Sequence, residues 1–427
     1  MSNSAELKKL LSDGAFDKML TELYTESESE MQKDRYAEII DSFVSIYGDC
    51  DEIRLFSAPG RTEVGGNHTD HNHGKVLAAS VNLDTVAAAA KRDDNVASET
   101  TKGYSQLSVD LNDLDVHTEE FGKPTALVRG MCAGFKKNGY NIGGFNAASA
   151  SRVLAGSGLS SSAAYEVLIG TILNYLYNDG KVPAAEIAKI AQYAENEYFG
   201  KPSGLMDQMA SSVGSFITID FNDVANPEIK KVDFDFASCG YALCIIDTGG
   251  NHANLTDDYA AVRGEMEGAA AVFGKDVLRE VDESEFMANI PLVREKTGDR
   301  AVLRAMHFYA ENKRVDAEVA ALSEGDFEAF KALVVESGYS SYMYNQNVYT
   351  VKAPAEQGVS LALALCEQLL KGKGAWRVHG GGFAGTVQAF VPQNMLDEFR
   401  SRIEAVFSEG SCHVLSVRPY GGVEIKA

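Results

Sequence analysis

Apolar residues recur at helical spacing over the first 48 positions: Leu7, Leu10, Leu11, Met19, Leu20 and Leu23, then Tyr36, Ile39, Ile40, Phe43 and Ile46. Spacings of three and four put such residues on one face of a helix. Residues 1–48 are therefore predicted as a helical, solvated N-terminal extension, interrupted near the acidic run 26–30. The pattern then changes. IRLFSAPGR (53–61) reads as a strand entering a glycine turn, and 75–92 and 107–114 have β character. A helix is predicted around 126–138, another over 161–177, and an amphipathic one over 183–200, stopped by Gly200 with Pro202 beyond. Strands follow at 215–221 and 241–249, then a largely helical stretch, 257–372. A glycine-rich turn running into a strand (376–392), a helix (395–407) and two short strands close the chain. Mixed strands, then helices, then strands again predict an α+β fold with two lobes. The expected units are 1–48, 49–215 and 216–427, with the boundary near 210–225.

Composition narrows the function classes. The 427 residues are 45% apolar and 23% charged, as in ordinary globular proteins. With 61 acidic against 39 basic residues, the formal charge is −22. Such a surface disfavours nucleic acid and anionic membranes as partners, but not a small anion in a locally positive pocket. Six scattered cysteines without a CxxC read as reduced, mostly buried thiols. No apolar signal core and no membrane-length apolar run is seen, so a cytoplasmic protein is expected.

The strongest chemical signal is GSGLSSSAA, Gly156–Ala164, leading into an apolar helix. Glycines admit a ligand close to the backbone, and serines at a helix start add hydroxyls to free N–H groups and a positive dipole end. That combination suits a polyphosphate, although a helix start after a flexible turn has the same pattern. The loop is not of the GxxxxGK[ST] type. Two further glycine-rich segments, 58–74 and 379–386, suggest a site built from converging loops. Asp207, in KPSGLMDQMASSVG, is a candidate base and Arg61 a candidate cation for phosphoryl transfer. An aspartate that simply opens the next helix is the competing reading. His68, His71 and His73 beside Asp70 could suggest a zinc site, but they fall in a glycine-containing turn. His379 reads as a neighbour of the turn or the phosphates, and Trp376 as core or interface.

The order PGR…HTD, GxGLSSSAA, GxMDQ and GGGFxG resembles the GHMP kinases, the galactokinases most closely, over residues 52 to about 425. The resemblance implies an N-terminal lobe with a ribosomal-S5-like fold, a C-terminal ferredoxin-like lobe and an active site between them. It implies an ATP-dependent monomeric sugar-1-kinase acting on galactose with Mg²⁺. Gly156, Ser157, Gly158, Leu159, Ser160, Ser161 and Ser162 would then bind ATP phosphates, and Thr101 would approach the nucleotide. Ser162 and Glu195 would hold the metal. Asp207 would serve as base for the anomeric hydroxyl, with Arg61 stabilising charge. Asn67, His68, Thr69, Asp70, Gly204 and Tyr259 would contact the sugar.

Two stretches depart from that family's pattern. Where galactokinases read GRxNxIGEHTDY, this chain reads GRTEVGGNHTDH: Glu63 replaces Asn, Asn67 replaces the Glu that faces C6, and His71 replaces Tyr. An amide does not repel a carboxylate, so a uronic acid or another aldose is an alternative substrate. The second departure is SGYSSYMYNQNVYT, 337–350. A non-catalytic galactose and ATP sensor is an alternative of another class. Such sensors lose residues of the serine-rich loop, which is intact here, as are Asp207 and Arg61.

Overall fold

The computed structural model describes residues 3–153, 158–250 and 255–427. Three helices come first, α1 (Ser4–Ser12), α2 (Asp17–Tyr24) and α3 (Ser29–Tyr47). Strands β1 (Arg54–Gly65), β2 (Lys75–Lys91), β3 (Val96–Thr101) and β4 (Leu107–Asp110) precede α4 (Pro124–Lys137) and β5 (Phe145–Ser151). Next come α5 (Ser161–Tyr177), α6 (Ala184–Tyr193), α7 (Met206–Val213) and strands β6 (Phe216–Asp220), β7 (Glu228–Val232) and β8 (Tyr241–Asp247). Helices α8 (Thr256–Ala271), α9 (Glu283–Ala288), α10 (Ile290–Thr297), α11 (Asp299–Ser323), α12 (Phe327–Ser340) and α13 (Gly358–Leu370) follow. Strands β9 (Ala375–His379) and β10 (Thr386–Pro392), helix α14 (Leu396–Phe407), and strands β11 (Cys412–Leu415) and β12 (Val423–Ile425) complete the order.

Among the described residues, two sheets form. One has eight strands in the order β12-β1-β2-β5-β3-β4, with β6 paired to the start of β2 and β7 to β6. The other has four, in the order β11-β8-β10-β9. Strands β6, β7 and β12 lie beyond residue 215 yet belong to the large sheet, so the two sheets do not divide the chain at a single point.

Period-two alternation decides what each face buries. On the large sheet, Phe56, Ala87, Ala89 and Ala147 pack under α4, α5 and α6. Their neighbours Leu55, Val86, Ala88 and Ala148 pack against Leu11, Leu20, Leu23, Tyr36, Ile40 and Phe43 of the N-terminal helices. The solvated extension expected for residues 1–48 is therefore corrected. Its apolar stripe is the second cover of the sheet, which would otherwise expose alanine and valine on that side. On the small sheet, Leu243, Ile245 and Phe390 face Phe327, Phe330 and Val334 of α12. The opposite face, with Cys244, Val387 and Trp376, is covered by α13 and α14. Trp376 thus lies in the core, 6% exposed. All six cysteines are free thiols, and four of them are buried. No helix among the described residues is long and apolar enough to cross a membrane.

Candidate active site

The site is assembled where β1 bends. Strand β1 slips register against β2 between Pro59 and Arg61, a bulge that re-aims the arginine. A Cβ on Gly60 would lie 2.7 Å from the Leu159 carbonyl oxygen, so only glycine lets β1 approach the serine-rich loop this closely. The Arg61 backbone N–H donates to that same carbonyl at 3.0 Å. Its guanidinium donates through NH1 to the Gly158 carbonyl and through Nε to Asp207 Oδ1 at 2.7 Å. The other oxygen of Asp207 accepts from Ser160 Oγ. One arginine and one aspartate thereby join a strand, a loop and helix α7.

Ser160 sits in the left-handed region (φ 57°), and Ser161 and Ser162 open α5. The first turn of that helix presents unpaired backbone N–H groups and a positive dipole end. Gly158, Leu159, Ser160, Ser161 and Ser162 therefore line one loop-to-helix corner, with Leu159 itself fully buried. Gly156 and Ser157 lie outside the described residues. His379 backs the corner: a Cβ on Gly158 would lie 3.3 Å from its ring. Its nitrogens are engaged by Thr62 Oγ1 (3.0 Å) and Thr386 Oγ1 (2.9 Å). Burial, then the charges of Arg61 and Arg377, push its pKa down to about 3, so it is a neutral imidazole.

Asp207 occupies the first turn of α7, where the dipole favours an anion. Burial works against its ionisation. The charge and hydrogen bond of Arg61, with the Ser160 hydroxyl, outweigh that and hold its carboxyl below the usual aspartate range. The side chain is 34% exposed, leaving room for a substrate hydroxyl.

A second carboxylate faces the same corner. After α6 the backbone widens into a π-helical segment, Ala194–Phe199, closed by Gly200 in the left-handed region. Such a widening changes which way a side chain points and recurs at functional sites. Here it carries Glu195, whose Oε1 lies 3.3 Å from Ser162 Oγ and 2.8 Å from Lys201 Nζ. Its Oε2 accepts from Gln208 Nε2 at 2.7 Å. The same amide reaches Glu166 Oε2 at 3.2 Å. Glu166 Oε1 is buried without a partner, and burial together with Glu195 pushes that carboxyl well above its usual range.

The candidate sugar residues divide into two groups. Asp70 neighbours Gly204, while His68 and Tyr259 both contact the 381–382 turn. Asp70 Oδ2 would be 3.5 Å from a Cβ on Gly204. His68 Nε2 is 2.9 Å from the Gly381 carbonyl, while the Tyr259 hydroxyl donates to the Gly382 carbonyl at 2.8 Å. Burial raises the Asp70 carboxyl, against the opposing charge of His68. Asn67 and Thr69 are held inside the protein. Asn67 is fully buried; its amide donates to Glu63 Oε1 (2.9 Å) and the Gly380 carbonyl (2.7 Å) and accepts from Asn347 and Ser341. Thr69 is also buried, and its hydroxyl donates to the carbonyls of Gly66 and Lys75 within the turn. Both support the turn, with their polar atoms engaged inside the protein. Thr101 is hydrogen-bonded to Glu99 and Ser149. Glu99 in turn accepts from Tyr165 of α5.

Sequence reasoning missed Lys201, Gln208, Glu166 and Arg377. Arg377 is fully buried against Glu63 Oε1 at 2.6 Å, and it neutralises the carboxylate that the first departure introduces. The two departures also meet, since Ser341 and Asn347 of the second stretch hydrogen-bond Asn67 of the first.

Comparisons with known proteins identify the family of the chain. The galactokinase galactose-binding signature matches residues 41–91, and the GHMP kinase N-terminal domain matches residues 126–215. A galactokinase from Streptomyces coelicolor is 31% identical over 371 residues, covering 86% of this chain and 91% of its own. One from Clostridium tetani is 30% identical with the same coverage. Among solved structures, Lactococcus lactis galactokinase complexed with galactose superposes with a TM-score of 0.73 at 27% identity, covering 91% of this chain and 98% of that one. The mevalonate kinase of Methanococcus jannaschii, 14% identical with a TM-score of 0.60, shares the fold. With relatives this similar over nearly their whole length, the chain belongs to the galactokinase family of the GHMP kinases.

Proposed function

We propose that this protein transfers the γ-phosphate of ATP to the anomeric hydroxyl of D-galactose, giving ADP and galactose 1-phosphate. The observation that carries the reading is Asp207, an ionised, partly exposed carboxylate pinned between Arg61 and the phosphate-loop Ser160. A sugar hydroxyl in water is a poor nucleophile, so rate must come from positioning and from charge stabilisation. His68, Asp70, Gly204 and Tyr259 orient the sugar. The backbone of the loop and the start of α5 receive the phosphates. As the new O–P bond forms and the bond to the ADP oxygen breaks, the hydroxyl proton passes to Asp207. Arg61, already charged beside it, balances the negative charge that spreads over the phosphoryl oxygens.

Ser162 and Glu195 offer an all-oxygen donor pair beside the loop, which fits a hard divalent cation such as Mg²⁺. When bound, that ion neutralises phosphate charge.

The test is Asp207→Asn. Galactose and ATP should still bind by calorimetry, while kcat falls by about 10²–10⁴-fold. Near-normal turnover in that variant would remove Asp207 as the base.

A further inference from the structure

Lys201 belongs to none of the roles assigned above, yet its ammonium forms an ion pair with Glu195. Nζ lies 2.8 Å from Glu195 Oε1, the same oxygen that Ser162 Oγ approaches at 3.3 Å. The lysine is therefore a near neighbour of the phosphate loop. It also feels the carboxylates of Asp207 and Glu166. Glu195 is 2% exposed, whereas the Lys201 side chain is 59% exposed. Its backbone is anchored: Lys201 N–H donates to the Glu195 carbonyl at 3.1 Å, between Gly200 and Pro202. A fixed backbone with a flexible, solvent-facing four-carbon stem can move its charge without moving the loop.

We propose that Lys201 is a nucleotide-phosphate ligand that rests on Glu195 in the empty enzyme and transfers to the triphosphate when nucleotide binds. Two carboxylates, Asp207 and Glu195, face a site that must accept a polyanion. Left unpaired, Glu195 would repel the phosphates; the ammonium removes that penalty. A divalent cation on Glu195 Oε1 and the ammonium on the same oxygen repel each other, so loading the site frees the lysine. The nearest dense negative charge is then the phosphate chain at the start of α5. The exchange needs only side-chain rotation and conserves charge pairing at each stage.

This inference rests on the kinase reading and is tested apart from it by binding alone. With saturating Mg²⁺ present, Lys201→Met should bind ATP about 10- to 100-fold more weakly than wild type by calorimetry, the loss of one charge-assisted contact. The same variant should bind free Mn²⁺, without nucleotide, on the order of 10-fold more tightly by electron paramagnetic resonance, because its competitor is gone. Lys201→Arg should restore most of the ATP affinity, and galactose affinity should be unchanged in both variants. Unchanged ATP affinity in Lys201→Met would overturn the proposal, as would equal loss of galactose binding and thermal stability, which marks a purely structural lysine. Wild-type protein that binds no ATP would instead overturn the kinase reading itself.

Discussion

Strands β1 and β2 carry two arginine–aspartate clusters that share a chemistry and differ in exposure. In one, Arg61 meets Asp207, whose side chain is 34% exposed. In the other, Asp84 is 0% exposed and lies between Arg35 and the fully buried Arg418. Asp84 Oδ1 accepts from Arg35 at 2.6 Å. Its Oδ2 accepts from Arg418 at 3.1 Å and from the hydroxyls of Tyr24 and Ser57. Four donors converge on this carboxylate, and two of them come from the N-terminal helices. Asp207 has one donor per oxygen and an open side. A saturated buried carboxylate can only hold structure together, because protonating or moving it breaks several bonds at once. An unsaturated one at the surface retains the capacity to accept a proton. Burial opposes ionisation in both, and the adjacent arginines and hydroxyls outweigh it, so both carboxyls lie below the usual range.

Isosteric changes at the two aspartates should separate these roles. Asp207→Asn should cost catalysis by the factor given above and leave the thermal midpoint close to wild type. Asp84→Asn should do the reverse. It leaves Arg35 and Arg418 without their counter-charge and should lower stability by about 3–5 kcal/mol in urea titration, while the folded fraction keeps wild-type KM for both substrates. An Asp84→Asn protein of normal stability would break the comparison.

Acid should act on a third buried group, beside the phosphate corner. His379 is neutral in the folded state, with its pKa pushed from 6.5 down to about 3. Between those values the unfolded chain binds the extra proton and the folded chain does not, so folding weakens as pH falls below about 6.5. The contribution is fully present above that value and is progressively lost down to about pH 3. The two depressed aspartates add to this only below the ordinary aspartate value of about 3.9. His379→Gln should flatten the dependence of the melting temperature between pH 6.5 and 4. An unaltered slope would place the acid sensitivity elsewhere, for example at His307, whose pKa burial pushes down to about 4. The smallest effect is expected at Ser160→Ala. It removes one hydrogen bond from Asp207, raises that carboxyl, and should shift the acid limb of kcat/KM upward with little change in stability.

Much of this protein was legible in the chain itself. The strand at 53–61, the helix at 161–177 and the small-residue loop before it follow from local periodicity and from backbone freedom, properties that neighbouring residues determine. Asp207 and Arg61 could be named because phosphoryl transfer needs a base and a cation, and few residues sat beside suitable turns. What the chain could not disclose is where each polar atom is spent. Asn67 reads as a site residue in sequence, and becomes a buried support because Ser341 and Asn347, some 280 positions away, satisfy its amide. The N-terminal helices read as solvated because their partners, Val86, Ala88 and Ala148, carry no mark that both faces of their sheet need cover. Lys201 and Glu166 were silent because their meaning depends on a π-helical widening that aims Glu195 at both the lysine and the loop. Local sequence set the elements and the types of chemistry at hand. Tertiary structure alone decided which charges are saturated and which remain open to a substrate, because that depends on donors brought together from distant parts of the chain.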